Sequence, residues 1–185
     1  MTLAELNALE PGRFVAALSG VFEHSPWVAA ATCDRRPFRT IDELHSAMVA
    51  IVRSAPTDAQ LALLRAHPEL ASKAAMRGEV SAASSQEQTD AGLTQCSAAE
   101  FARLSALNRA YDAKFGFPFI IAVKGLTREQ IIERCAERLD RDPAAEFATA
   151  MAEVTRIARF RLDALLEGEP PKDASRRKAR KGKPG

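Results

Sequence analysis

Apolar residues recur at helical spacing along most of the chain, and the strand-type alternation of Val, Ile and Thr is nearly absent. Helix-start signals punctuate this pattern. Thr2…Glu5, Thr40…Glu43, Thr57…Gln60, Ser97…Glu100 and Thr127…Gln130 all have capping-box spacing, in which a hydroxyl and a carboxyl or amide satisfy free backbone donors reciprocally. Ser25-Pro26 and Asp142-Pro143 add two starts of another kind, a cap residue followed by proline at the first helical position. Together they predict helices over residues 3–9, 12–23, 26–34, 41–54, 58–66, 68–77, 98–114, 128–140 and 143–167.

Two stretches break the rhythm. Residues 78–93 are polar and rich in Ser and Gln, which predicts a loop with at most a short helical turn. Gly116-Phe117-Pro118-Phe119-Ile120-Ile121-Ala122-Val123 is apolar but short, and Pro118 disfavours helix at Phe117. An extended, buried connection is expected there. No internal repeat is visible. The fold class that follows is all-α: a single-domain bundle of about nine helices over residues 1–169, with residues 170–185 expected as a disordered basic tail.

Composition narrows the class further. The chain has 185 residues, 46% hydrophobic and 27% charged, which suits one domain with a real core. No apolar run approaches the roughly 20 residues a membrane span needs, and no basic segment followed by an apolar one opens the sequence. A cytoplasmic protein with no membrane partner is the expectation. The net charge of +2 hides an asymmetry. Residues 172–185 hold seven basic groups and one acidic, whereas the other 171 residues hold 19 basic and 23 acidic. A mildly acidic body is a poor nucleic-acid surface, so no nucleic-acid partner is expected of it. Cys33, Cys96 and Cys135 lie far apart, as do His24, His45 and His67, and neither a disulfide framework nor a metal site is indicated.

The candidate chemistry is scattered. At about 100° per residue, Phe147, Ala150, Met151, Val154, Ile157, Ala158 and Leu165 share one apolar arc of the last helix, and Arg161 falls near its centre. A buried guanidinium keeps its charge and needs anionic or hydrogen-bonding partners, from the protein or from a ligand. His67 precedes Pro68 and ends its helix, and an imidazole there can exchange protons near neutrality. His24 and His45 share that chemistry, and composition does not rank the three. Ser84-Ser85-Gln86-Glu87-Gln88 offers hydroxyls, amides and a carboxylate that suit a small nitrogen-rich ligand, or else a solvated loop.

These positions carry a family resemblance. The segments are Phe22-Glu23-His24-Ser25-Pro26-Trp27, His67-Pro68-Glu69-Leu70-Ala71, Ser84 to Gln88 with Ala91-Gly92-Leu93, Leu107-Asn108 through Tyr111, Lys114 to Val123, and Ile157-Ala158-Arg159-Phe160-Arg161-Leu162. In this order the chain resembles the 2-oxo-4-hydroxy-4-carboxy-5-ureidoimidazoline (OHCU) decarboxylases of urate breakdown over about residues 12–167. The resemblance implies an all-helical, cofactor-free carboxy-lyase that acts as a homodimer, with (S)-allantoin and carbon dioxide as products. It implies His67, Glu87 and Arg161 as catalytic residues, with no metal. Substrate contacts are implied for Pro68, for Ser84, Ser85, Gln86, Glu87 and Gln88, and for Phe119, Ile120, Ile121, Ala122 and Val123.

On that reading Arg161 orients the anion and steadies charge developing on the ring, Glu87 bonds the hydroxyl or ureido group, and His67 delivers a proton to one face. The basic tail lies outside the family pattern. Three other readings stay open from the residues alone. One is a helical interaction module with Arg161 in a structural ion pair; another is a nucleic-acid binder acting through residues 172–185; the third is a related enzyme of a different ureide.

Overall fold

The computed structural model describes residues 1–72 and 80–166. Within them the chain forms α1 (Leu3–Ala8), α2 (Pro11–Leu18), α3 (Pro26–Cys33), α4 (Ile41–Ser54), α5 (Thr57–Arg65), α6 (Ala82–Asp90), α7 (Ala98–Phe115), α8 (Arg128–Leu139) and α9 (Pro143–Leu166), with a 3-10 turn at Leu93–Gln95 and no strand. The capping chemistry explains most of the starts. Thr2–Glu5, Ser97–Glu100 and Thr127–Gln130 close complete boxes, and Asp142 Oδ1 accepts from the amides of Ala144 and Ala145. Thr40 caps α4 alone, because Glu43 turns back to the Arg39 amide instead. Two predicted caps differ: Thr57 is the first residue of α5, with Pro56 in the cap position, and Ser25 stands at the cap of α3 without a side-chain cap hydrogen bond.

The order of packing follows the chain at first, α2 against α3 and α3 against α4. The long α9 then lies across α4, α5 and α7, with Ala150, Val154, Ile157, Ala158, Leu162 and Leu166 buried along one stripe. Ala150, Val154, Ile157 and Ala158 belong to the arc that the spacing predicts, whereas Phe147, Met151 and Leu165 of that arc are only half-buried and Leu162 and Leu166 are buried in their stead. Gly116, at φ +74°, ends α7 in the left-handed region that favours glycine, and the chain then runs without regular structure from Phe117 to Val123. Phe117 and residues Phe119 to Val123 are all buried, as an extended core connection should be.

Three expectations need correction. Helix 12–23 stops at Leu18, where the Ser19 hydroxyl and amide both turn back to the Ala16 carbonyl. The predicted helix 68–77 is absent over 68–72, and its remainder lies outside the described residues. Tertiary partners capture the backbone there: Gln88 Oε1 accepts from the Ala71 amide at 2.9 Å, and Asn108 Nδ2 donates to the Leu70 carbonyl at 2.9 Å. Ala71 itself has φ +48°. The predicted loop at 78–93 contains instead the nine-residue α6, capped by Ser81, whose hydroxyl accepts from the Ser84 amide. The expected tail at 170–185 lies outside the described residues.

A buried polar cluster ties the irregular segment to the helices. Arg138 of α8 donates Nε–H to Glu146 Oε1 of α9 at 2.7 Å and Nη1–H to the Ile120 carbonyl at 2.8 Å. Its guanidinium also stacks over the Phe119 ring, 4.7 Å from the centroid. Tyr111 of α7 donates its hydroxyl to the same Glu146 oxygen. One ion pair therefore joins three helices to the Ile120 carbonyl and the Phe119 ring.

Candidate active site

Helix α6 places Ser84, Glu87 and Gln88 on its inner face by ordinary 3.6-residue periodicity. They meet α9 at Arg161, whose side chain is only 8% exposed. Arg161 donates to Glu87 through Nε (2.7 Å to Oε1) and Nη2 (2.9 Å to Oε2), a bidentate pair. Its Nη1 donates to Glu23 Oε2 at 2.7 Å and to the Gly20 carbonyl at 3.0 Å, and Nη2 also reaches the Ser84 hydroxyl at 3.0 Å. Burial alone lowers the guanidinium's pKa, but the hydrogen bond and charge of Glu87, with Glu23 behind it, raise it on balance. Arg161 is thus the anchored buried cation that its place on the apolar arc predicts.

His67, 8% exposed, closes the end of α5. Its Nδ1 lies 3.0 Å from the Leu63 carbonyl; a carbonyl only accepts, so Nδ1 carries the proton and Nε2 is left as a bare acceptor. Burial pushes the imidazole pKa down from 6.5 to about 4, with the nearby Arg161 charge acting the same way and the Leu63 bond and Glu23 opposing. The ring is neutral at pH 7. The other two histidines part company with it. His45 Nε2 donates to the Thr155 carbonyl at 2.9 Å and so ties α4 to α9, while His24 is largely exposed.

His67, Glu87 and Arg161, remote in sequence, line one cavity of about 30 Å³ together with Pro68, Ser84, Gln88, Phe119, Ile120, Ile121 and Val123. A larger cavity of about 310 Å³ is also bordered by the Glu87–Arg161 pair and is lined by Gln86, Ala122, Lys124 and Phe160 as well. Glu87, Val123, Ile157 and Arg161 belong to both. Ser85 lines neither; its carbonyl accepts from the Thr89 hydroxyl. The Ala71 amide fixes Gln88 Oε1 as an acceptor, and the buried Gln88 Nε2 has no hydrogen-bond partner among the described residues. An orphaned donor on a cavity wall is a place for a ligand's acceptor. The single N–H of Ala122 is taken by Glu153 and is not open to a ligand, while the Ile120 carbonyl gives one of its two lone pairs to Arg138.

Glu23 is the site residue that sequence reasoning left without a role, although it stands inside one of the segments that carry the resemblance. It is 2% exposed, accepts from Arg161 and from the Ser84 hydroxyl at 2.9 Å, and lies 3.7 Å from the His24 ring. Burial raises its pKa, but the Ser81 hydrogen bond, the Arg161 charge and the Ser84 bond overcome this and lower it. The carboxylate stays ionised inside the protein.

The family model for OHCU decarboxylase matches residues 7–163. The chain is 41% identical to the 2-oxo-4-hydroxy-4-carboxy-5-ureidoimidazoline decarboxylase of Haloferax volcanii over 169 residues, covering 91% of this chain and 98% of that protein. Its fold is similar to the crystal structure of (S)-allantoin synthase, with TM-score 0.73 and 30% identity over 90% of this chain and 54% of the other. It is also similar to an OHCU decarboxylase crystallised in the presence of (S)-allantoin, with TM-score 0.68 and 25% identity over 82% of this chain and 98% of the other.

Proposed function

The chain belongs to the OHCU decarboxylase family, and from that membership we infer that it decarboxylates 2-oxo-4-hydroxy-4-carboxy-5-ureidoimidazoline in urate breakdown, giving (S)-allantoin and carbon dioxide. The observation that carries the site assignment is the meeting of His67, Glu87 and Arg161 around one small cavity. A homodimer and a cytoplasmic location belong to the same proposal. Among the described residues no helix is long and apolar enough to cross a membrane.

The substrate's carboxylate sits on a hydroxyl-bearing carbon next to a ring C=N. The electron pair released with carbon dioxide flows into that bond, so the substrate contains its own electron sink. The ring nitrogen that receives the pair takes up a proton, the hydroxyl-bearing carbon becomes a carbonyl, and its neighbour gains hydrogen. Arg161 holds the departing carboxylate, and Glu87 accepts from the hydroxyl or the ureido arm. His67 enters as a neutral base rather than as the acid expected from sequence: Nε2 takes the hydroxyl proton, and the imidazolium then passes it to one face of the adjacent carbon. A low pKa makes that imidazolium a strong acid toward carbon.

The test is to generate the substrate in situ from urate with the two preceding enzymes. Appearance of the S enantiomer well ahead of the racemic background is expected, and a rate equal to the background would reject the reaction.

A neutral His67 also fixes a pH dependence. In the free protein kcat/KM should stay level from neutrality downward and fall about tenfold per unit once pH passes about 4. Between 6.5 and 4 the unfolded imidazole binds more protons than the folded one, so His67 makes stability rise with pH across that window and decline as the solution is acidified. An acid limb centred near 6.5 would show that the ring titrates as in water.

A further inference from the structure

We propose that Glu23 is a positioning residue that holds the Arg161 guanidinium in place while Glu87 leaves it to admit the substrate's carboxylate. The proposal rests on the decarboxylase reading and adds to it the group that keeps the anion site aligned. Its basis is a complete set of donors. All five N–H groups of Arg161 are engaged: Nε and Nη2 by Glu87, Nη2 again by Ser84, and Nη1 by Glu23 and Gly20. An entering carboxylate reaches the guanidinium only by displacing one of these acceptors.

The two carboxylates are unequal in that exchange. The Glu87 side chain is 31% exposed, borders both cavities, and its carboxylate has Arg161 as its one hydrogen-bond partner among the described residues. Glu23 lines neither cavity and is also held by the Ser84 hydroxyl and by Ser81, with the His24 ring 3.7 Å away. Releasing Glu23 strands a charge in the interior, whereas releasing Glu87 returns one to water. The exchange therefore vacates the Nε/Nη2 edge, the face that binds a carboxylate with two parallel bonds, while Nη1 stays fixed on Glu23 and Gly20. The substrate's charge takes the place of Glu87's, and Glu87 becomes free to accept from the ureido N–H groups.

Loss of Glu23 leaves Glu87 as the sole carboxylate on Arg161 and frees the Nη1 end to drift. The carboxylate charge disperses as carbon dioxide departs, so this contact is strongest in the ground state and its loss falls on KM rather than kcat. The experiment compares wild type with Glu23→Gln for KM, for kcat and for (S)-allantoin affinity by calorimetry, since allantoin lacks the carboxylate. A KM at least tenfold higher, with kcat within threefold and allantoin affinity within twofold, is expected. An unchanged KM, or an allantoin affinity that falls in step with KM, overturns the proposal. Should Glu23→Gln not fold, Glu23→Asp keeps the charge but withdraws it by one methylene; it must show the same split in smaller measure, and wild-type KM there is equally fatal. The wild-type reaction, run alongside, reports separately on the decarboxylase reading.

Discussion

Replacing His67 by asparagine is expected to lower kcat by about 10²–10⁴-fold, the usual worth of a positioned acid–base group, and to erase the enantiomeric excess of the product. Both effects follow from one ring atom. Leu63 fixes the tautomer and leaves Nε2 as the basic nitrogen on the cavity wall. An amide neither takes up the hydroxyl proton nor returns it to one face of the neighbouring carbon. Without that delivery the carbon acquires its proton from water on either side, as in the spontaneous reaction. Asparagine keeps an N–H for the Leu63 carbonyl, so the helix end should stay intact and the melting temperature should change little. Circular dichroism of the product during turnover measures both rate and configuration. Undiminished S product from the variant removes His67 from the mechanism.

The helical framework was legible because its signals are local. A hydroxyl at Thr2, Ser97 or Thr127 and its partner three residues on determine a helix start by themselves, and the structure closes those boxes. Arg161 was legible for a related reason, as a charge in the middle of an apolar stripe. The same test applied to α8 and α9 would have found Arg138, in step with Ile131 and Cys135, and Glu146, in step with Ala150. Helix α6 escaped because its inward face is Ser84 and Gln88 with Glu87 beside them, so the side that faces the protein is the polar one. Hydrophobic periodicity is silent where a helix is buried against a polar site. The segment after His67 escaped because its backbone partners, Gln88 and Asn108, lie 17 and 38 residues away. The same holds for Glu23, whose role exists only once α6 and α9 come together around it. The site was readable from the residues as separate candidates, and from the resemblance as a set, but its wiring is a property of the tertiary fold.

Replacing Arg138 by methionine should destabilise the protein by about 3–5 kcal/mol, the cost of breaking a buried ion pair from one side. Glu146 is fully buried, and its Oε1 depends on Arg138 and Tyr111. Among the described residues its Oε2 has no hydrogen bond and only a longer ion pair, 3.6 Å, to the half-exposed Arg141. Methionine fills much the same space but leaves that carboxylate nearly uncompensated, and it also strips the Ile120 carbonyl of its donor. The damage should therefore reach the site: residues 119–121 line the smaller cavity, and this guanidinium bonds the Ile120 carbonyl and stacks on the Phe119 ring. Urea denaturation reads the stability change, and a loss under 1 kcal/mol would mean that the pair contributes no more than an exposed one. The double variant Arg138→Met/Glu146→Leu separates charge from architecture. Removing both charges should recover much of the stability, because no unpaired ion remains, yet the Ile120 carbonyl still lacks its partner. A double variant that is stable but raises KM would assign the buried pair its second task, holding the wall of the substrate cavity, whereas full recovery of activity would confine it to stability.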